Sequence, residues 1–281
     1  MHVRLAAQKY GKCSVLLCKV TRHASRHDIT ELTIDIELEG DFSESYLQGD
    51  NRRVIATDTM KNTVYALAAE QPLDDAESFT QSLAAHFLDR NAHVTAVAVR
   101  ARASTWRRID SAGAHPHAFI DGGPASRTAC TRATRVETIV QGGIVGLQLL
   151  KTSDSAFRDF LRDEFTTLPD VDDRIFATVI NAHWTFSSRA VDWDVAYTSI
   201  VDSMIAVFAD HKSLAVQQTL FAMGDAALKS CSAIKSVHLE MQNQHRIPFN
   251  LASIGKQNRN EIFITTREPY GLITATLERD K

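Results

Sequence analysis

Residues 30–39 keep a strict period of two: Leu32, Ile34, Ile36 and Leu38 alternate with Glu31, Thr33, Asp35, Glu37 and Glu39. That rhythm predicts a half-buried strand with one wet face. The Val-, Leu- and Cys-rich residues 14–22 predict a partner strand, and the polar turn His23–Asp28 joins the two as an antiparallel hairpin. After Gly40 the pattern lapses into an irregular stretch up to Arg53. Met60, Val64 and Leu67 then fall at i, i+4 and i+7, which predicts a helix with Thr57 or Asp58 as its N-cap and Pro72 as its stop. A second helix starts near Asp74 or Asp75 and gathers Phe79, Leu83, Phe87 and Leu88 on one face. Val94–Arg102 is β-rich again, and a loop with Gly113, Pro116, Gly122, Gly123 and Pro124 follows.

The second half repeats the order. Extended segments are expected at 128–140 and 144–152, then a polar excursion over 154–173 and a long strand from Arg174 to Phe186. Helices follow at about 192–209 and 213–229, the latter with Ser213 as N-cap and Val216, Leu220, Met223 and Ala227 along its apolar stripe. Val237–Met241, Ile262–Ile264 and Leu272–Leu277 close the chain as strands. Each half therefore reads strand, strand, helix, helix, strand, strand. Antiparallel sheet with paired helices on one face is the α+β class. The boundary between the halves is expected at 138/139, giving units 1–138 and 139–281.

Composition narrows the function classes. At 281 residues, 44% hydrophobic and 23% charged, the chain matches a folded globular protein of about two structural halves. A net charge of −3 supplies no general basic field for nucleic acid or anionic lipid. No apolar run approaches the ~20 residues of a membrane helix. The start Met1-His2-Val3-Arg4-Leu5 lacks the apolar core of a signal peptide. Cys13, Cys18, Cys130 and Cys231 then read as reduced thiols of a cytoplasmic protein, Cys13 and Cys18 as small apolar filler.

Familiar catalytic signatures are missing. Gly142-Gly143-Ile144-Val145-Gly146 lacks the Lys and the helix of a phosphate loop, and no G-x-S-x-G elbow occurs. His115-Pro116-His117 offers a histidine pair without H-E-x-x-H or C-x-x-C support, and loop histidines are the plainer reading. Three stretches stand out instead. Tyr10-Gly11-Lys12 puts a lysine at a strand start. Val54-Ile55-Ala56-Thr57-Asp58 runs into a helix N-terminus, whose free N–H groups and dipole suit an anion. Leu150-Lys151-Thr152, with the polar and aromatic run from Phe157 through Asp173-Arg174-Ile175, is the long irregular connection that compact domains reserve for function.

Those stretches together resemble the urate oxidase (uricase) family. Its motifs are matched here by Tyr10-Gly11-Lys12, by Ala56-Thr57-Asp58 with Lys61-Asn62-Thr63, by Leu150-Lys151-Thr152, by Phe157, by Arg162-Asp163-Glu164-Phe165-Thr166-Thr167-Leu168, and by Asp173-Arg174-Ile175. They fall in order over nearly the whole chain. The resemblance implies the tunnelling fold (T-fold): two sheet-and-helix-pair units per subunit, closed into a barrel by assembly as a homotetramer with sites at subunit interfaces. It implies oxidation of urate by dioxygen and water to 5-hydroxyisourate and hydrogen peroxide, with no metal and no organic cofactor.

Urate is a planar anionic purine, and the resemblance distributes its recognition residue by residue. Phe157 would stack on the ring, Arg174 would offer its two-pronged cation to one edge, and Gln217 would pair with the opposite edge. The Val216 backbone, Leu168, Thr57 and Asp58 complete the substrate-binding set. Lys12, Thr57 and His245 would form the proton relay, and Asn243 would hold dioxygen or water above the purine. A lysine serves as base only if burial or nearby positive charge lowers its pKa. Thr57 and Asp58 would come from one subunit and most other site residues from its neighbour.

The chain departs from the family where many relatives read Pro-Asn-Lys-His: here Gln242-Asn243-Gln244-His245 keeps Asn and His and replaces the other two. That change supports the alternative of an inactive purine-binding or structural tetramer. The ending Leu277-Glu278-Arg279-Asp280-Lys281 lacks Ser-Lys-Leu, in line with a cytoplasmic rather than a peroxisomal protein. A zinc-dependent pterin or GTP enzyme of the same fold would need more ligands than His115 and His117 supply.

Overall fold

The computed structural model describes residues 3–111 and 113–280; the readings that touch Met1, His2 and Lys281 lie outside them. The chain divides into two compact units, Met1–Gly143 and Ile144–Lys281.

In the first unit, β1 (Lys9–Arg22) and β2 (His27–Gly40) form the hairpin, in register from Lys9 opposite Glu39 to Arg22 opposite His27. The alternating stripe faces the core: Leu32, Ile34, Ile36 and Leu38 are all buried. A short helix α1 (Ser43–Gln48) occupies part of the stretch expected to be irregular. It buries none of its residues, so no apolar period announces it. Helices α2 (Thr57–Glu70) and α3 (Ala76–Arg90) follow. Met60 and Val64 of α2 and Phe79, Leu83 and Phe87 of α3 are the buried stripes. Truncating a residue such as Leu83 to Ala costs about 2–5 kcal/mol.

The strands β3 (Val94–Ala103) and β6 (Ser126–Thr134) extend the sheet antiparallel beside β2. Helix α3 packs on both of them, and α2 packs on β1. Glu77 of α3, fully buried, is held by Arg127 at 2.9 Å. Burial pushes its carboxyl up while the Arg127 charge draws it back down. The Gly- and Pro-bearing loop is a two-stranded ribbon instead, β4 (Trp106–Asp110) with β5 (Ala114–Asp121). The ribbon is largely exposed and shows no buried-face alternation.

Strand β7 (Thr138–Lys151) begins in the first unit and ends in the second. The expected segment 128–140 is broken by a turn in which the Thr134 N–H donates to the Glu137 carbonyl at 2.7 Å. The second unit orders its sheet β7, β8 (Phe176–Phe186), β9 (Ile234–Gln244), β12 (Gly271–Glu278). Helices α4 (Trp193–Asp210) and α5 (Val216–Ser230) pack on each other, and α5 packs on β9 and β12. The ribbon β10 (Arg246–Pro248) with β11 (Phe263–Thr265) flanks a single 3-10 turn at Leu251–Ile254. Both units are thus antiparallel sheet with a helix pair, the α+β architecture.

Candidate active site

In the first unit the site residues sit where β1 meets the start of α2. Lys12 lies opposite Ile36, just before an irregularity in the β1–β2 register between Lys12 and Val15. Ser14 takes a positive φ there and its N–H donates to Asp35 at 2.7 Å. Gly11 makes the close strand approach possible, since a Cβ at this position would lie 1.8 Å from the Ile36 carbonyl oxygen. Tyr10 braces the next element. Its hydroxyl accepts the Ile55 N–H at 2.8 Å and donates to the Ile55 carbonyl at 3.2 Å. Two backbone groups just ahead of Thr57 are therefore tied to the strand that carries Lys12. Burial pushes the Tyr10 phenol up, so it stays protonated and able to donate.

Thr57 and Asp58 are not caps. The cap position is Ala56, with no side-chain hydrogen bond, and Thr57 is the first helical residue, exposed to solvent. Asp58 accepts from Lys61 at 2.5 Å and from Asn62 at 2.9 Å. The Lys61 ammonium first, then Asn62 and the charge of Lys12, hold its carboxyl below the usual range. Asp58 is thus a fixed anion electrostatically linked to Lys12.

In the second unit the polar excursion is anchored at both ends. The Ala156 N–H donates to the Ser213 carbonyl at 2.7 Å, and the Ser213 N–H to the Asp154 carbonyl at 2.9 Å. Asp173 receives the Ser153 hydroxyl at 2.7 Å, and the Arg174 N–H donates to the Ser155 carbonyl at 2.8 Å. Lys151 donates to the His211 carbonyl, fixing the α4–α5 connection to the end of β7. These bonds bring Phe157, Arg174 and the start of α5 into one neighbourhood. The Arg174 guanidinium lies 5.3 Å above the centre of the Phe157 ring. It is half-buried, burial pulls its pKa down, and no carboxylate pairs with it among the described residues. Phe157 also stacks on Phe160, with ring centres 4.8 Å apart and planes 8° from parallel.

Ser213 is not the N-cap of α5. That position is Ala215, again without a side-chain bond, while the Ser213 hydroxyl accepts from Thr219 at 2.8 Å. Val216 and Gln217 are the first two helical residues, Val216 buried and Gln217 exposed. Asn243 lies opposite Thr178 and Gln244 opposite Ala177, so β9 delivers Asn243 and His245 at the end of the sheet where Arg174 enters β8. The His245 backbone carbonyl accepts from Thr266 at 3.1 Å. Leu168 is about half exposed on the excursion, its carbonyl accepting from Arg162 at 3.2 Å.

The structure thus joins Phe157 with Arg174 by direct contact, groups Lys12 with Asp58 electrostatically, and sets Thr57 and Val216 at helix starts. It records no hydrogen bond or ring contact joining Leu168 or Gln217 to Phe157 or Arg174. Tyr10, Phe160, Ser155 and Asp173 join the site through these contacts without a role expected from sequence; only the aromatic spacing of Phe157 and Phe160 signals any of them locally. His115 and His117 lie on β5 rather than in a loop, with ring centres 4.7 Å apart and the His115 Nδ1 accepting the His117 N–H at 3.3 Å. Among the described residues no three His, Cys, Asp or Glu side chains are grouped to hold a metal ion. Among the same residues no helix is long and apolar enough to cross a membrane.

Known proteins resemble this chain along almost its full length. The uricase family model matches residues 8–131 and 140–274. Uricase of Arthrobacter globiformis is 38% identical over 278 residues, covering 99% of this chain and 91% of that protein. Uricase of Dictyostelium discoideum is 33% identical over 279 residues, covering 98% and 97%. The crystal structure of the Arthrobacter globiformis uricase matches with a TM-score of 0.95 at 38% identity, covering 100% of this chain and 96% of that one.

Proposed function

The chain belongs to the uricase family and shares its α+β tunnelling fold, and from that premise we propose that it is a urate oxidase. The reaction takes urate, dioxygen and water to 5-hydroxyisourate and hydrogen peroxide. Urate itself is the reductant: it loses two electrons to dioxygen, and water supplies the new hydroxyl at C5. No metal or organic cofactor takes part, so the protein's work is deprotonation, positioning and charge stabilisation.

The observation that carries this reading is the Arg174–Phe157 pair. A half-buried guanidinium without a carboxylate partner, set beside a phenyl face, is complementary to a flat anion with paired acceptors on one edge. In this reading Phe157 stacks on the purine, Arg174 clamps one edge, and Gln217 with the Val216 N–H engages the other. Leu168 covers the site. Thr57 and Asp58 approach from a neighbouring subunit at the uncapped start of α2. Lys12, Thr57 and His245 pass the proton, and Asn243 holds dioxygen or water. The assembly is a homotetramer whose sheets close into a barrel. Its compartment is the cytoplasm, consistent with four unpaired cysteines.

Oxygen uptake with urate, in the presence of a chelator, tests the proposal. One peroxide should appear per dioxygen consumed as the urate ultraviolet band decays. Tight urate binding without oxygen uptake would leave an inactive purine-binding tetramer, and the replacements at Gln242 and Gln244 would then be the first place to look.

A further inference from the structure

The second unit carries a feature that the oxidation does not use. His183 of β8 and His238 of β9 lie directly opposite each other in the antiparallel register. Their ring centres are 4.8 Å apart, with planes tilted by 31°. His183 alternates with the buried Ala182 and Trp184, and His238 with the buried Val237 and Leu239, so both rings stand on the sheet face turned away from the core. The same row continues to Thr276 of β12, which lies opposite His238. Its hydroxyl is 2.8 Å from the His238 Nδ1. Further along this face, Asn181 donates to Glu240 at 3.0 Å, leaving that carboxylate engaged beside the pair.

We propose that His183 and His238 form a two-histidine site for a divalent transition-metal ion. Two imidazoles on one zinc, each with a metal–nitrogen distance of about 2.0–2.1 Å, hold their ring centres about 5 Å apart, which matches the spacing found. Thr276 supplies the orienting contact. With the Nδ1–H donated to its hydroxyl, the lone pair of His238 is presented at Nε2. Both strands are fully paired here, so the two rings are positioned before any ion arrives. Water completes the coordination. The site is independent of the urate reading, because none of its residues belongs to that site.

Equilibrium dialysis of the full-length protein against Zn²⁺ tests it. One ion per chain is expected at this site. His183→Gln and His238→Gln should each weaken binding at least tenfold, and Thr276→Val by about tenfold. His117→Ala should leave the affinity unchanged, since it touches the separate His27, His115 and His117 group. Unchanged far-ultraviolet circular dichroism and urate-dependent oxygen uptake in the Gln variants identify a specific loss rather than misfolding. Zinc binding by both Gln variants at wild-type strength, loss of the ion in His117→Ala instead, or no binding by the wild-type chain would each overturn the proposal.

Discussion

The four long helices start in two different ways. Helices α3 and α4 are capped by aspartate: Asp75 accepts the Ser78 N–H at 2.5 Å and Asp192 accepts the Val195 N–H at 3.0 Å. Helices α2 and α5 start behind alanine, at Ala56 and Ala215, with no side-chain cap. Each unit therefore has one closed helix start and one open one, and the open ones carry Thr57–Asp58 and Val216–Gln217. A helix N-terminus left without a cap keeps N–H donors and the positive dipole end available. The aspartates serve folding. The alanines forgo about 1 kcal/mol of capping each, and under the proposed function that leaves N–H donors open to an anionic substrate.

The largest loss of activity is expected at Lys12, on β1 and within electrostatic reach of Asp58 at the open start of α2. Lys12→Met should lower kcat for urate by about 10²–10⁴, the usual contribution of a positioned acid or base, with KM little changed. Stopped-flow urate decay measures this, and a variant with full activity would remove Lys12 from the relay. Arg174→Ala should come next. Loss of the cation against a bound anion costs about 2–5 kcal/mol in kcat/KM, and Arg174→Lys should recover only part because it lacks the fork. Phe157→Ala should cost about 1–3 kcal/mol, seen mainly in KM, as loss of a stacking face does for other bases. Wild-type KM in that variant would show that the purine does not lie on this ring.

Much of the comparison was legible in the residues. The stripes Leu32–Leu38 and Phe79–Leu88 have clean periods because they face a core, and the helices and main strands follow from them. Asp75 and Asp192 read as helix starts because cap chemistry is local. Thr57 and Ser213 have the same chemistry yet are not caps, because distant partners decide their places. Tyr10 fixes the backbone ahead of Thr57, and residues 154–156 pair with Ser213. Those contacts span 45 residues in the first case and about 57 in the second, and no window of sequence displays them. The ribbon β4–β5 and the strand β10 escaped for a different reason: short exposed strands bury too little to impose a period, whereas β11 answers to the expected strand at Ile262–Ile264. The pairing of Phe157 with Arg174 came from resemblance alone; they stand seventeen positions apart in sequence, and the Arg174–Ser155 backbone bond helps to bring them together.

The smallest effect is the sharpest test of why two starts are open. Asp192→Ala removes a cap from a helix start outside the proposed site, so it should lower stability by about 1 kcal/mol in urea or thermal unfolding and leave kcat/KM unchanged. Ala215→Asp should do the reverse. Ala215 already has the extended backbone a cap requires, with φ −159° and ψ 153°, so an aspartate there can accept an α5 N–H without rearrangement. The variant should gain up to about 1 kcal/mol of stability. The same carboxylate would repel a bound anion and occupy a donor meant for it, weakening urate affinity by about 1 kcal/mol, or roughly fivefold. If Ala215→Asp stabilises the protein and urate binds as before, the open start of α5 is a feature of folding and Val216 does not contact the substrate. If stability rises while affinity falls, the missing cap is the binding site.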